Sequence, residues 1–495
     1  MSLKEALSIP FAKLIKHKTA RWAKSPLETQ QKVFSKLIKK AQSTQFGKDH
    51  GFNKIKTYKE FQMAVPIRDY EQLKTYFDRT KKGEANVLWP GKPIYLSKTS
   101  GTTSGAKYIP ITKESIPYHM NAARDSILHY IAETGNAKFV NKKMIFLQGS
   151  PELDKSGPIP IGRLSGIVAH HVPGYLQRNR LPSFKTNMIE DWEEKVAAIC
   201  KETLPEPMGL ISGIPPWVQM YFEQLLEISG KKSIKEIFPD FSLFIYGGVN
   251  YEPYRSNMEK LIGKSVDSIE LYPASEGFIA YQDSQVEEGM LLLLNSGIFY
   301  EFVPAEEFFD ENPSRLTIGE VELNKNYVLI LSTNAGLWGY NIGDTIKFVS
   351  LSPYRIIVSG RIKHYTSAFG EHVIAEEVEK AISEVSSTTK DQVVEFHLAP
   401  QLKPVEGELP YHEWFIEFKQ EPKDISSFAG LLNEKMMRLN SYYKDLIDGK
   451  MLQPLKVRIV ERNGFTNYMK QKGKLGGQNK LPRLANDRKI AEELF

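Results

Sequence analysis

The segment Thr99-Ser100-Gly101-Thr102-Thr103-Ser104-Gly105-Ala106-Lys107, TSGTTSGAK, decides how the rest of the chain is read. Its glycines carry no Cβ and can take positive φ, which lets successive backbone N–H groups turn toward one point. A concave row of amides attracts anions, the Ser and Thr hydroxyls add donors, and Lys107 adds a positive charge. Together these properties predict a polyphosphate cradle, with Thr99, Ser100, Gly101, Thr102, Thr103 and Lys107 as candidate residues. The spacing is not that of a G-x-x-x-x-G-K-[ST] loop, because the glycines stand closer together and no Ser or Thr follows Lys107. Kinase and GTPase chemistry therefore lose their main support. On composition alone, a solvated Ser/Gly turn is the competing reading.

Working outward, the loop follows an expected strand at Pro93 to Leu96, and short apolar runs then alternate with longer amphipathic ones. The runs are KMIFLQGS, MGLISG, FSLFIYGG, SIELYPASEG, VLILSTNAG and RIIVSG. Such alternation predicts an α/β fold with a large N-terminal domain, residues 1–360, of mainly parallel sheets covered by helices. Many of the runs end in Gly, Ser, Asn or Glu, and open α/β sheets bind ligands at the carboxyl ends of their strands. After Gly360 the pattern changes to a short helix at Glu376 to Ser383, strands at Val393 to Leu398 and Trp414 to Phe418, and a helix around Phe428 to Asn440. That order predicts a smaller α+β C-terminal domain, residues 361–495.

Residues 1 to about 90 read as charged helices, including Gln31 to Ala41, with a turn at Trp89-Pro90-Gly91. The chain has 495 residues, too many for one compact core. Its 65 Lys and Arg against 59 Asp and Glu leave a net charge of +6, a mild excess that does not suggest a nucleic-acid partner. The one cysteine, Cys200, can form neither an internal disulfide nor a cysteine metal cluster, and is expected to be a structural thiol. The basic N-terminus lacks a continuous apolar core and a cleavage site, and nowhere do about eighteen apolar residues run together. The expectation is a cytoplasmic protein without a membrane segment.

Other fragments fail as motifs. Gly263-Lys264-Ser265 looks like the tail of a phosphate loop, but Met258 stands where the first glycine belongs. His170-His171 resembles the paired histidines of condensation-type acyltransferases, yet Tyr175 stands in place of their aspartate. H-E-x-x-H, G-x-S-x-G and clustered zinc-type ligands are missing from the sequence.

TSGTTSGAK resembles the phosphate loop of the adenylate-forming superfamily, which includes acyl-CoA synthetases, luciferases and peptide-synthetase adenylation domains. Three further segments in the same order support the match: Tyr272-Pro-Ala-Ser-Glu276, Tyr340-Asn-Ile-Gly-Asp344, and Gly360-Arg361-Ile-Lys363 followed by Gly370-Glu371. Within that superfamily the chain is similar to the Gretchen Hagen acyl-acid-amido synthetases, the auxin-responsive family, in a bacterial-type form. The features are the loop followed by Ile-Pro, the segment Phe244-Ile-Tyr-Gly-Gly-Val-Asn-Tyr-Glu-Pro-Tyr254, YPASEGF, and Gly476-Gly-Gln-Asn-Lys480-x-Pro-Arg483.

The resemblance implies a role for each position. Tyr272 lies by adenine, Ser275 meets the α-phosphate, Glu276 holds magnesium, and Asp344 accepts the ribose hydroxyls. Gly247 and Gly248 let backbone approach adenine, unless they are packing glycines at a strand end. Lys480 swings to the α-phosphate, Arg361 contacts ribose, and Lys363 stands at the pivot of a hinge near 361–363 about which the C-terminal domain rotates. Lys107, Glu276 and Lys480 form the expected catalytic set.

The implied reaction is ATP-dependent adenylation of a small carboxylic acid, then acyl transfer to an amine, in the first instance an amino acid. Ala368-Phe-Gly-Glu-His372 is closer to the acyl-CoA synthetase pattern, which keeps coenzyme A as an alternative acceptor. A non-catalytic nucleotide-binding scaffold is the alternative from another class. Acyl specificity is sought in Tyr118 to Ser126, Gly162 to His171 and Ile211 to Val218, where Arg124 or Arg163 could hold a second polar group, or form a surface ion pair.

Overall fold

The computed structural model describes all residues except 1–2, 100–105, 173, 190, 249–250, 363–372, 374, 403, 405–407, 449–450, 476–480 and 486. Contacts divide the chain into two units: Met1–Ile342 with Lys347–Ile357, and Gly343–Ile346 with Val358–Phe495.

Seventeen strands are described, in chain order: β1 Tyr95–Thr99, β2 Lys107–Ile111, β3 Lys143–Phe146, β4 Ile161–Gly162, β5 Arg180–Leu181, β6 Met208–Ser212, β7 Leu243–Gly247, β8 Asp267–Ala274, β9 Gly277–Tyr281, β10 Met290–Leu292, β11 Ile298–Pro304, β12 Asn326–Thr333, β13 Tyr340–Leu351, β14 Tyr354–Arg361, β15 Val393–Gln401, β16 Tyr411–Phe418 and β17 Lys456–Val460. Eleven of them form one sheet in the order β11-β12-β13-β14-β10-β9-β8-β7-β6-β3-β5.

The expectation of mainly parallel sheets is corrected: the large sheet is mixed. β5, β3, β6, β7 and β8 run parallel, and helices such as Trp192–Thr203, Pro215–Ser229 and Glu252–Ile262 carry the chain between them. From β8 the chain reverses through Ser275 and Glu276 into β9, and the β8–β9, β9–β10, β10–β14 and β11–β12 pairs are antiparallel. A parallel neighbour requires a crossover of roughly a dozen residues, and the two-residue link after Ala274 cannot supply one. The sequence concealed this because β9 and β11 are buried at every position, as strands of a covered parallel sheet are.

A second sheet has the order β2-β1-β4, with β1 antiparallel to β2 and parallel to β4. The N-terminal helices pack beside it. Helix Pro26–Ala41 starts on a proline, which costs nothing where the first N–H has no helical partner, and buries Phe34, Leu37 and Ile38 among Phe46, Phe52, Phe61, Trp89 and Trp338. Helix Tyr58–Ala64 opens on a capping box in which Thr57 and Glu60 satisfy each other's backbone N–H. Tyr58 and Arg315 both bond the fully buried Glu301 carboxylate, at 2.8 Å and 2.6 Å, and so tie this segment to β11.

In the second unit β15 and β16 are antiparallel and β16 and β17 parallel, under helices Ala375–Thr389 and Ile425–Leu439. Val378, Ile382, Trp414, Phe428, Leu432 and Met436 share its core. No helix among the described residues is long and apolar enough to cross a membrane. Cys200 is buried, and burial pushes its thiol up to about 12, as suits a structural side chain.

Candidate active site

The expected strand before the phosphate loop is displaced by about two residues: β1 begins at Tyr95 and reaches Thr99 itself. Thr99 and Lys107 are partners in the β1–β2 ladder, so the loop closes a hairpin whose base is Thr99 opposite Lys107. Ser100, Gly101, Thr102 and Thr103 lie outside the described residues. The Lys107 ammonium stands 5.9 Å from the centre of the Tyr70 ring, and the Tyr108 N–H donates to the Tyr70 hydroxyl at 3.1 Å. Lys98, opposite Tyr108 in the ladder, and Lys81, 3.5 Å over the Tyr108 ring, add positive charge to the hairpin. The nearby Asp154 carboxyl is held below its ordinary value, chiefly by Ser156, with Lys98 and Lys81 contributing.

Ser97 is fully buried, and its hydroxyl lies 2.8 Å from that of Ser275. Ser275 and Glu276 form the tip of the β8–β9 hairpin between the paired residues Ala274 and Gly277. Both are half-buried, and Tyr272 is buried one turn of the pleat back along β8. The structure thus brings the base of the phosphate hairpin to the tip that carries Ser275 and Glu276.

Gly247 pairs with Leu271 beside this tip. A Cβ on Gly247 would fall 2.4 Å from the Leu271 carbonyl oxygen, so its missing side chain serves strand packing. Gly248 follows with φ +84°, a left-handed conformation that glycine adopts without strain.

In the second unit, Gly343 takes φ +89° within β13, and the next residue, Asp344, is buried. Arg361 Nε meets the Asp344 carboxylate at 2.8 Å while its own side chain stays half exposed. The two residues that the sequence assigned to ribose are therefore neighbours. Lys363, Gly370, Glu371 and the Ala368–His372 stretch lie outside the described residues, as does Lys480. The segment after Lys480 is held on β15: Leu398 N–H donates to the Arg483 carbonyl, Ala485 N–H to the Leu398 carbonyl, and the Arg483 guanidinium meets Glu379 and Glu395 at 3.0 Å each.

The acyl-pocket candidates separate. Arg124 forms a partly exposed ion pair with Asp125 at 2.7 Å. Arg163 is half-buried, and burial lowers its guanidinium below its ordinary value. His170 Nε2 bonds the Pro151 carbonyl oxygen at 2.8 Å, and the His171 ring meets Tyr95 edge-on at 5.6 Å. Ile211 and Val218 are fully buried. Lys264 of the discarded phosphate-loop fragment donates to the Pro239 carbonyl at 2.9 Å. Sequence reasoning missed Ser97 and Tyr70. A small polar residue between Leu96 and Lys98 hinted at the first, while nothing local marked Tyr70.

Family models described as GH3 family N-terminal domain, central domain and C-terminal domain match residues 15–187, 291–361 and 376–489. The chain is 21% identical to the indole-3-acetic acid-amido synthetase GH3.4 of Arabidopsis thaliana, over 93% of this chain and 89% of that one. It is 22% identical to the jasmonoyl–L-amino acid synthetase JAR4 of Nicotiana attenuata, over 64% of this chain and 66% of the relative. Among solved structures the fold is similar to that of GH3.15 acyl acid amido synthetase, with TM-score 0.79 at 13% identity over 98% of this chain and 95% of that one. It also resembles 2-hydroxyisobutyryl-CoA ligase in its postadenylation state, with TM-score 0.61 at 12% identity over 96% and 91%. With its N-terminal, central and C-terminal regions all matched in order, the chain belongs to the GH3 family of acyl-acid-amido synthetases, ATP-dependent ligases that adenylate acyl acids and conjugate them to amino acids.

Proposed function

We propose that the Thr99–Lys107 hairpin and the Ser275-Glu276 tip hold the ATP triphosphate between them while an oxygen of a small carboxylic acid attacks the α-phosphorus. The observation that carries this reading is the 2.8 Å contact between Ser97 and Ser275, which joins the two elements.

A carboxylate is a poor electrophile because its leaving group would be oxide. In the first step a carboxylate oxygen forms a bond to the α-phosphorus and the bond to pyrophosphate breaks, so that AMP becomes the later leaving group. Charge gathers on phosphate oxygens, and the catalytic contribution is positioned positive charge and N–H or O–H donors rather than a strong base. Lys107 and the hydroxyls of Thr99, Ser100, Thr102 and Thr103, with the Gly101 amide, take the outer phosphates, and Ser275 takes the α-phosphate. Tyr272, with Gly247 and Gly248 alongside, borders adenine; Asp344, oriented by Arg361, accepts the ribose hydroxyls.

The half-buried Glu276 carboxylate suits a hard divalent cation, and no cluster of three His, Cys, Asp or Glu ligands competes with it among the described residues. Magnesium bound there would be held by Glu276 and phosphate oxygens, and would supply charge neutralisation along the triphosphate. Residues 361–495 rotate about 361–363 to bring Lys480 to the α-phosphate, against a larger domain of residues 1–360.

In the second step the amine of an amino acid forms a C–N bond to the acyl carbon, the acyl–phosphate bond breaks, AMP departs, and the amine proton passes to solvent. We read the chain as a bacterial-type member of its family. The test is acid-dependent exchange of radiolabelled pyrophosphate into ATP across aryl, indole and fatty acids. Exchange with none of them would overturn the reading.

A further inference from the structure

Gly162 of β4 pairs with Ser97 of β1, so the residue that follows, Arg163, starts beside the strand that leads into the phosphate hairpin. Its side chain turns toward the carboxyl end of β3: a Cβ on Gly149 would lie 3.0 Å from Arg163 Cδ and 3.7 Å from the Ser165 hydroxyl. That hydroxyl is buried and has no hydrogen-bond partner. The loop holding Gly149 is packed from two sides. Gly166 comes so close to Ser150 that a Cβ would fall 2.7 Å from its carbonyl oxygen, and the Ser150 hydroxyl reaches the Met188 sulfur at 3.9 Å on the other side.

Next to Met188, the Asn187 carbonyl accepts from the buried Lys195 ammonium at 2.6 Å, and the Asn187 side-chain oxygen is itself buried without a partner. Burial first, and the Arg163 charge second, lower the Lys195 amine to about 8. Among the described residues Arg163 forms no ion pair, and burial lowers its guanidinium below its ordinary value.

A half-buried guanidinium beside an unpartnered hydroxyl, at the end of a parallel strand, is costly to hold without an anion to meet it. Arg124, the other cation considered for this role, is occupied by Asp125. We infer that Arg163 receives a carboxylate carried by one of the two substrates. Arginine suits that ligand because its planar fork matches two carboxylate oxygens. The carboxylate has two sources: the α-carboxylate of the amino-acid acceptor, or a second carboxylate on the acyl acid. The inference rests on the ligase reading above and names the chemistry of its substrates.

The experiment measures selectivity in the full chain. For the first source, kcat/KM in amide formation is compared between an amino acid and its carboxamide. For the second, kcat/KM in pyrophosphate exchange is compared between a dicarboxylic acid and its monoester. Each comparison is made in the native chain, Arg163→Met and Arg163→Lys. In one of the two comparisons Arg163→Met is expected to reduce preference for the charged substrate roughly tenfold to hundredfold, the loss of one hydrogen bond to an ionised group. Arg163→Lys should fall between, since it keeps the charge but not the fork. Arg163→Gln gives the same reading should the methionine variant not fold. Unaltered preferences in both comparisons, with exchange intact in the native chain, overturn this inference alone. No exchange in the native chain overturns the ligase reading and this inference with it.

Discussion

The Ser97 and Ser275 hydroxyls stand 2.8 Å apart although 178 positions separate them in the chain. Ser97 is fully buried in the strand before the phosphate loop, and Ser275 is at the tip of the β8–β9 hairpin. Ser97→Ala removes one of two mutual partners. It is expected to cost about 1 kcal/mol of stability, and to raise KM for ATP more than it lowers kcat. Urea unfolding and steady-state kinetics check the two parts. An unchanged KM would show that the contact is structural only.

Glu276→Ala takes away the carboxylate proposed to hold magnesium. Pyrophosphate exchange should fall by roughly a hundredfold or more, the scale seen when one electrostatic contact to a transition state is removed. The fall should be partly recovered at high magnesium. Activity at the native level would contradict the metal assignment.

Lys107→Met keeps the length of the side chain and removes its charge. We expect a rise in KM for ATP and a loss of exchange of roughly a hundredfold, while Lys81→Met, whose ammonium sits over the Tyr108 ring rather than at the base of the loop, should give a change of less than about fivefold. Equal effects of the two would mean that a general positive field, rather than Lys107, acts on the phosphates.

Glu301 is fully buried and bonded by Arg315 and Tyr58. Burial raises its carboxyl above the ordinary value, and the Arg315 charge opposes that shift. Arg315→Met strands the carboxylate and should cost about 3–5 kcal/mol. In Arg315→Met/Glu301→Gln much of that loss should return, since no buried charge is left. A double variant as unstable as the single one would show that packing, not charge, makes the link to the N-terminal helices.

Two buried histidines on helix Ile116–Thr134 set a pH window. Burial lowers both His119 and His129 from 6.5 to about 4. The folded chain binds fewer protons than the unfolded chain between those values. Their contribution is therefore complete above about 6.5 and is lost as pH falls toward 4. Linkage puts it at about 3 kcal/mol for each residue. Between pH 7 and pH 5 the unfolding free energy should fall by about 2 kcal/mol for each residue, and His119→Gln should flatten the slope. A slope unchanged in that variant would refute the His119 part.

The strands MGLIS, LFIYG and VLILST were legible as runs of apolar residues, because a strand covered on both faces needs little else. Their directions were not. β9 and β11 are as deeply buried as the parallel strands β6 and β7, and only the short link at Ser275-Glu276 makes β8 and β9 antiparallel. Arg124 and Arg163 also looked alike in the sequence. One pairs with its neighbour Asp125, and the other lies half-buried near the end of β3, a difference of surroundings that no spacing encodes.

By itself, the sequence determined the chemistry on offer: the hydroxyls, glycines and lysine of Thr99–Lys107, the carboxylate in YPASEG, the aspartate in YNIGD and the family to which they belong. These are local properties, carried by residue type and order. Tertiary structure alone decided that Thr99 faces Lys107, that Ser97 reaches Ser275, that Arg361 holds Asp344, and that Gly247 is needed for strand packing. Each depends on sheet register or on close packing between segments, near in the chain for Thr99 and Lys107 and far apart for Ser97 and Ser275, and those are set by the fold rather than by residue type.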